Sequence, residues 1–392
     1  MIDVLAGIGV CAGAAWIYLL SAHGGFWRCS ITDRSAVPER ADARWPAVAA
    51  IVPARNEAEN ISRSLRALIR QTYPGRLAVL VVDDQSADGT AEAAKETASL
   101  ESAASTSVAV ILGRPVPSGW TGKLWAMRQG LIAVEEQGQP PEFILFTDAD
   151  IELGPDVLRR LVSIARAREA VLASLMVELR CESFAERLLV PAFVFFFQML
   201  YPFAWVNDPR RTTTAAAGGC MLVDRAALNA AGGLEAIRGA LIDDCALAAL
   251  MKRVGPIWLG LTEDARSFRP YPTVADFGRM VARSAFAELR FSELRLAIAV
   301  LGMAFVFLSP AALALFAPGW PRLAGALAWT MMALALAPTL KFYRLSIVRG
   351  LALPLVAAAY LGFTLQSALQ YWRGEGGMWK GRVQAPSLAE RA

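Results

Sequence analysis

Carboxylates are the side chains of this sequence best suited to chemistry. Asp148 and Asp150 stand one residue apart directly after the apolar run Phe143-Ile144-Leu145-Phe146. If that run is a strand, its alternation directs both acids to the same side of its end. Two hard oxygen ligands there suit Mg²⁺ or Mn²⁺ that is also held by phosphate oxygens, since magnesium is commonly bound through one or two carboxylates plus substrate. Such an ion would neutralise the charge that grows on a departing diphosphate. The chain has one histidine, His23, and its five cysteines include no C-x-x-C pair, so zinc is disfavoured and a metal site must be built from oxygen. His23 follows the first apolar segment and reads as an interfacial residue with no catalytic part.

Four further clusters follow apolar runs or open helical patterns. Asp83-Asp84-Gln85-Ser86-Ala87-Asp88 comes after Leu80-Val81-Val82. There Asp84 could accept a hydrogen bond from a pyrimidine N–H, while Ser86 or Asp88 would cap the next helix. In Pro53-Ala54-Arg55-Asn56-Glu57, Asn56 and Glu57 suit an N-cap and a first helical turn, and Glu57 is alternatively a ribose or base contact. Gly119-Trp120-Thr121-Gly122-Lys123 presents a cation before a helix, either as a phosphate partner or as a solvated side chain. Asp243-Asp244 also opens a helical pattern. Acids commonly cap at such a place; the other reading makes one of them a general base.

These clusters need a scaffold that gathers them. From Trp45 to about Pro272 the runs AVAAIVPA, LAVLVVDD, SVAVILG and EFILFTDAD alternate with helical segments such as ENISRSLRALIRQ and WAMRQGLIAVEE. The alternation predicts an α/β domain with a Rossmann-like, mostly parallel sheet and helices on both faces. Open sheets of this kind bind ligands at the carboxyl ends of their strands, where PARNE, DDQS and DAD fall, so the clusters should converge on one crevice.

With 55% apolar residues among 392 and a mean hydropathy of +0.40, part of the chain should lie in lipid. Residues 2 to 20 read as a transmembrane helix; without a basic n-region they fit an anchor better than a cleaved signal peptide. Apolar segments at about 295–317, 323–340 and 351–370 predict three C-terminal transmembrane helices. Pro191 and Pro202 interrupt the aromatic stretch 188–205, which suits an interfacial helix or the lining of an acceptor groove. Val274, Phe277 and Val281, with Arg279, Arg283 and Arg290 nearby, predict an amphipathic helix at the membrane surface.

The organisation expected is an anchor over 1–22, a catalytic domain over 45–272, the interfacial helix over 273–293, transmembrane helices over 294–371 and a tail over 372–392. Arg28, Arg34, Arg40 and Arg44 place the domain on the cytoplasmic side of a bacterial-type inner membrane, and Lys341, Arg344 and Arg349 agree. Arg373, Lys380 and Arg382 then require a re-entrant segment or an exception to the charge rule. A formal charge of +4, from 39 basic and 35 acidic residues without a basic block, argues against nucleic acid as a partner. The odd number of cysteines reads as reduced thiols.

In this order, PARNE, VVDDQSADGT, GWTGKLWA, FTDAD, GGCMLVDR and LIDDCALA resemble the GT-A family 2 glycosyltransferases over roughly residues 46 to 270. GWTGKLWA and the closing MWKGR look most like the hopanoid-biosynthesis-associated (HpnB-type) branch, with carotenoid glycosyltransferases close by. The resemblance implies a nucleotide-sugar donor, taken here as a UDP-sugar, bound by Pro53, Glu57, Asp84, Lys123 and Asp148. It implies Mg²⁺ or Mn²⁺ at Asp148 and Asp150, Asp244 as catalytic base, and a lipid acceptor at the membrane. Asp243-Asp244 stands for the family's Glu-Asp pair. Where polymerising relatives have Gln/Arg-x-x-Arg-Trp, this chain has Met280-Val281-Ala282-Arg283-Ser284, so a single inverting transfer is expected.

Two rival readings belong to other classes. A nucleotidyltransferase would show a glycine-rich basic signature near the first strand, which PARNE lacks. A transporter with a regulatory domain would carry acidic or paired charges in its C-terminal segments, and these contain no acid.

Overall fold

A computed structural model describes residues 2–35, 44–101, 106–136, 138 and 140–377. Lys380 and Arg382, whose charges bear on the number of crossings, lie outside the described residues. The chain divides into two compact units, one made of Ser30–Arg180 and Trp205–Arg269, the other of Met1–Cys29, Cys181–Ala204 and Pro270–Ala392.

The helix α1 (Ile2–Ser21) comes first. The alternating pattern then folds as β1 (Val48–Ala54), α2 (Ile61–Ile69), β2 (Leu77–Asp83), α3 (Thr90–Leu100), β3 (Thr106–Leu112), α4 (Gly122–Glu136) and β4 (Phe143–Thr147). Next come β5 (Ile151–Leu153), α5 (Val157–Ala167), β6 (Leu172–Glu178), α6 (Phe184–Leu200), α7 (Phe203–Val206), β7 (Cys220–Asp224), α8 (Arg225–Ala230), α9 (Asp243–Met251) and β8 (Ile257–Ser267). Eight strands form one sheet in the order β3-β2-β1-β4-β7-β6-β8-β5. Strands β1 to β4 are mutually parallel, and β8 is parallel to β6. β7 runs antiparallel to both β4 and β6, and β5 antiparallel to β8. The expected mostly parallel sheet is thus observed, with β7 and β5 reversed. The connection from β6 to β7 begins and ends at the same end of the sheet and needs no crossover.

Burial explains why these runs become strands. Every residue of β1 is buried except Pro53, which is partly exposed and lies past the last β1–β4 register pair, Ile51 and Phe146. A proline there removes no ladder bond on the β4 side. Helix α2 turns Ile61, Leu65, Leu68 and Ile69 inward at helical spacing, and α5 does the same with Val157, Leu158, Leu161 and Val162. These side chains join Val48, Ala50 and Val52 in one core. On the opposite face α4 approaches so closely that a Cβ on Gly130 would lie 2.5 Å from Ile51 Cγ2 and 3.2 Å from Val82 Cγ2.

The other unit is helical: α1 and α6 are joined by α10 (Val274–Ala282), α11 (Ala285–Glu288), α12 (Glu293–Met303), α13 (Ser309–Phe316), α14 (Trp320–Phe342) and α15 (Leu353–Trp372). Among the described residues five helical stretches are long and apolar enough to cross a membrane: Ile2–Ser21, Phe184–Val206, Glu293–Phe316, Trp320–Phe342 and Ile347–Trp372. A π-turn at Ala304–Leu308 separates α12 from α13. Pro310 has no N–H to give to the carbonyl four residues back, that of Val306, and the Trp16 indole of α1 supplies the donor at 2.9 Å. In an apolar surrounding a carbonyl left unpaired would cost several kcal/mol.

Two sequence expectations are corrected in this unit. The 273–293 segment is not one amphipathic helix: α10 stops at Ala282, and Arg290 and Phe291 both take left-handed φ of 54°. That turn is held by aromatic contacts of Phe286 and Phe291 with Tyr371 at 5.4 and 4.5 Å. The 188–205 stretch, expected in the interface or lining an acceptor groove instead of spanning, is long and apolar enough to cross: α6 continues through Pro191 and ends before Pro202. A Ser183–Glu186 capping box starts α6, and the Tyr360 hydroxyl donates to Leu189 O at 2.9 Å. His23 Nε2 pairs with Met199 O at 2.8 Å, and all five cysteines are free thiols.

Because α4 carries Lys123, its seating on the sheet governs the crevice. Gly130→Leu is expected to overpack the α4 contact with Ile51 and Val82 and to destabilise the protein by about 1–3 kcal/mol. Chemical unfolding in detergent checks this, and an unchanged midpoint would contradict the close packing.

Candidate active site

The carboxyl ends of β1, β2, β3 and β4 and the start of β7 meet on one side of the sheet, and the acidic clusters gather there as expected. β1 leads to Arg55–Glu57, β2 to Asp84–Asp88 and β4 to Asp148–Asp150. Lys123 stands in the first turn of α4, Asp243 and Asp244 in the first turn of α9.

Lys123 is the centre. Its Nζ lies 2.9 Å from Asp148 Oδ1 and 3.0 Å from Asp243 Oδ2. Burial alone would lower its pKa, but Asp148, Asp243 and Asp244 outweigh that and hold the ammonium charged well above its usual range. Asp244 Oδ2 accepts a 2.8 Å hydrogen bond from the Gly218 N–H, and Oδ1 one of 2.8 Å from Cys245. Burial and the neighbouring Asp243 nevertheless push the Asp244 carboxyl up to about 6, with Lys123 and these N–H bonds opposing. Burial also raises Asp148; Lys123 opposes this, and Asp150 adds to it. Neither acid of α9 caps the helix through its N-cap position, which belongs to Ile242.

Asp148 and Asp150 depart from the alternation expected of a strand end. The chain turns after Thr147, closed by Ile151 N donating to Asp148 O at 3.2 Å, before β5 begins. Asp148 therefore faces Lys123, whereas Asp150 is buried and accepts from Ser267 Oγ and Arg269 Nε, both at 3.0 Å. Arg269 also reaches Glu57 Oε1 at 2.5 Å. Glu57 is buried, its Oε2 accepting from Asn60 at 3.0 Å.

Asn56 is not an N-cap. Helix α2 starts only at Ile61, and Asn56 adopts a left-handed φ of 50°. Its N–H donates to Ser86 Oγ and its Oδ1 accepts from Ala87 N, each at 2.9 Å, so it ties the β1 loop to the β2 loop. Asp88 has the structural part expected of it, accepting from Ala58 N at 3.0 Å and Thr90 N at 3.1 Å. Asp84 lies fully buried beneath Arg55, whose Nη1 donates to Asp84 O at 2.6 Å and sits 3.8 Å from its carboxylate.

Of the residues singled out from sequence, Lys123, Asp148 and Asp244 form one group and Glu57 and Asp150 another, while Pro53 and Asp84 belong to strand and loop beside them. Sequence reasoning missed Arg269, Ser267 and Gly218. The one available signal was their place: Ser267 ends the segment that becomes β8, Arg269 lies two residues beyond it, and Gly218 opens GGCMLVDR. For a divalent metal the donor chemistry fits in part. Asp148 offers hard oxygen, but among the described residues no group of three or more His, Cys, Asp or Glu side chains is placed to hold an ion by itself. Further ligands would have to come from a bound diphosphate, as magnesium sites commonly arrange.

A curled α/β sheet of this order with its crevice at the strand ends defines a GT-A-like fold. The mannosyltransferase PcManGT from Pyrobaculum calidifontis, solved with GDP-Man and Mn²⁺, shares that fold with a TM-score of 0.52 at 20% identity, over 96% of this chain and 100% of that one. Residues 49–232 match the family model described as Glycosyl transferase family 2. A stretch of 52 residues is 52% identical to Glycosyltransferase AglE of Haloferax volcanii, covering 13% of this chain and 17% of that protein. Residues 49–232 thus resemble a family 2 glycosyltransferase domain.

Arg269→Ala would leave Glu57 and Asp150 buried without their guanidinium. A loss of about 2–3 kcal/mol is expected, below the ~3–5 kcal/mol of a fully buried pair, because Arg269 is 37% exposed. Thermal unfolding measures it; a melting temperature equal to that of the wild type would refute the clamp.

Proposed function

We propose that the chain transfers one sugar from a nucleoside-diphosphate sugar, read as a UDP-sugar, to the hydroxyl of a membrane lipid, inverting the anomeric carbon. The observation that carries this reading is Asp244 set beside Lys123 and Asp148 at the mouth of the sheet. A base works best when its pKa lies near the working pH, and a carboxyl raised to about 6 is ionised at neutral pH yet more basic than an ordinary aspartate.

Asp244 takes the proton of the acceptor hydroxyl as its oxygen attacks the anomeric carbon, and the bond from that carbon to the diphosphate breaks. Lys123 receives the negative charge on the departing phosphate. Asp148, with Asp150 behind it, would hold Mg²⁺ or Mn²⁺ together with diphosphate oxygens, and the ion would supply further charge neutralisation. Asp84 receives the pyrimidine N–H as Arg55 yields it, and Pro53 and Glu57 border the nucleoside.

The five apolar helices support an acceptor dissolved in the bilayer. The arginines that follow α1 favour a catalytic unit on the cytoplasmic face of a bacterial-type inner membrane. A hopanoid is the first candidate acceptor, on the motif resemblance, and carotenoid, ceramide-like and polyprenyl-phosphate lipids are the alternatives. Comparing extractable lipids of cells with and without the protein separates them.

Asp244→Asn is expected to lower transfer by about 100-fold or more while changing donor affinity little. Normal turnover by that variant would remove Asp244 as the base. As the active form is deprotonated, kcat/KM should rise with pH up to about 6 and level off above; a flat profile from acid to neutral pH would count against the assignment. Chelation should stop transfer and added Mn²⁺ or Mg²⁺ restore it, whereas full activity in excess chelator would defeat the metal.

A further inference from the structure

Lys123 does more than phosphate recognition requires. An ammonium reserved for a phosphate need not be engaged by other acids, yet Nζ is 2.9 Å from Asp148 Oδ1 and 3.0 Å from Asp243 Oδ2, with 18% of the side chain exposed. Gly218 closes on this arrangement: a Cβ there would lie 3.2 Å from Lys123 Nζ and 3.2 Å from Asp244 Oδ2. The ammonium thus occupies the same carboxylate that a divalent cation would use, and two cations so close repel strongly where water is scarce. A diphosphate relieves the conflict, because its oxygens pair with the ammonium and complete the shell of the metal at once.

We infer that Lys123 is a resident counter-ion that sets the order of binding: a divalent cation is admitted to Asp148 only together with a nucleoside diphosphate, which draws the ammonium away from that carboxylate. Asp243 is a positioning residue in this exchange, keeping the ammonium within reach while Asp148 changes partner. The inference rests on the metal and donor reading above and adds to it the exclusion of the metal on its own.

The test uses the full chain in detergent micelles and follows unbound Mn²⁺ by the electron paramagnetic resonance of the aqua ion. Mn²⁺ is added alone, then with UDP or GDP. In the wild type, Mn²⁺ should bind at least tenfold more weakly alone than with nucleotide. Lys123→Met should bind Mn²⁺ alone at least tenfold more tightly than the wild type, and Lys123→Arg should resemble the wild type. Equal Mn²⁺ affinity of the wild type with and without nucleotide overturns the inference, whether or not Lys123→Met folds. So does an unchanged affinity in a folded Lys123→Met protein. Failure of every protein to take up Mn²⁺ in any mixture would instead remove the metal reading, and the inference with it.

Discussion

Mutual repulsion among carboxylates is the constraint around which the catalytic unit is arranged. Asp148, Asp150, Asp243, Asp244 and Glu57 are brought to one end of a sheet whose central strands are dry on both faces, and such a gathering is unstable without cations. Two answer it. Lys123 links the β4 turn to the start of α9, and Arg269 links the β1 loop to the same turn. Each cation therefore spans elements far apart in sequence, so the charge balance of the crevice and the register of its walls are one condition.

This explains which parts of the molecule were legible beforehand. Strands β1, β2 and β4 announce themselves because parallel strands covered on both faces must be apolar throughout. The acids at their ends were visible for the complementary reason, since polarity returns abruptly where the sheet opens. Arg269 was not visible, because its meaning lies in partners 212 and 119 residues away. Asn56 misled because its composition suits a cap, while its left-handed backbone is set by Ser86 and Ala87 on another loop. Asp150 misled because a turn replaced the expected strand extension, and a turn does not preserve alternation.

The helical unit shows the same limit in apolar terms. Hydropathy located its long segments well, because length and composition decide them locally. It did not reveal the break within 273–293, where aromatic rings of α11 and α15 settle the path of the backbone. Nor did prolines mark the ends of helices reliably: Pro191 lies inside α6. Within an apolar unit a backbone group can be satisfied by a side chain from another helix, so a proline there bends or modifies a helix without ending it.

The hydrogen bond from Trp16 to Val306 O has a bearing on biosynthesis. Its partners are 290 residues apart, so the donor is synthesised well before its acceptor. At ~5–20 residues per second, α1 waits about 15–60 s before the carbonyl freed by Pro310 has been made. Throughout that interval the indole must find a temporary partner in lipid headgroups or at an insertion site. Helix α1 is accordingly a late-fitting piece of the helical unit, and a generic apolar segment of equal length would lack the donor that completes it.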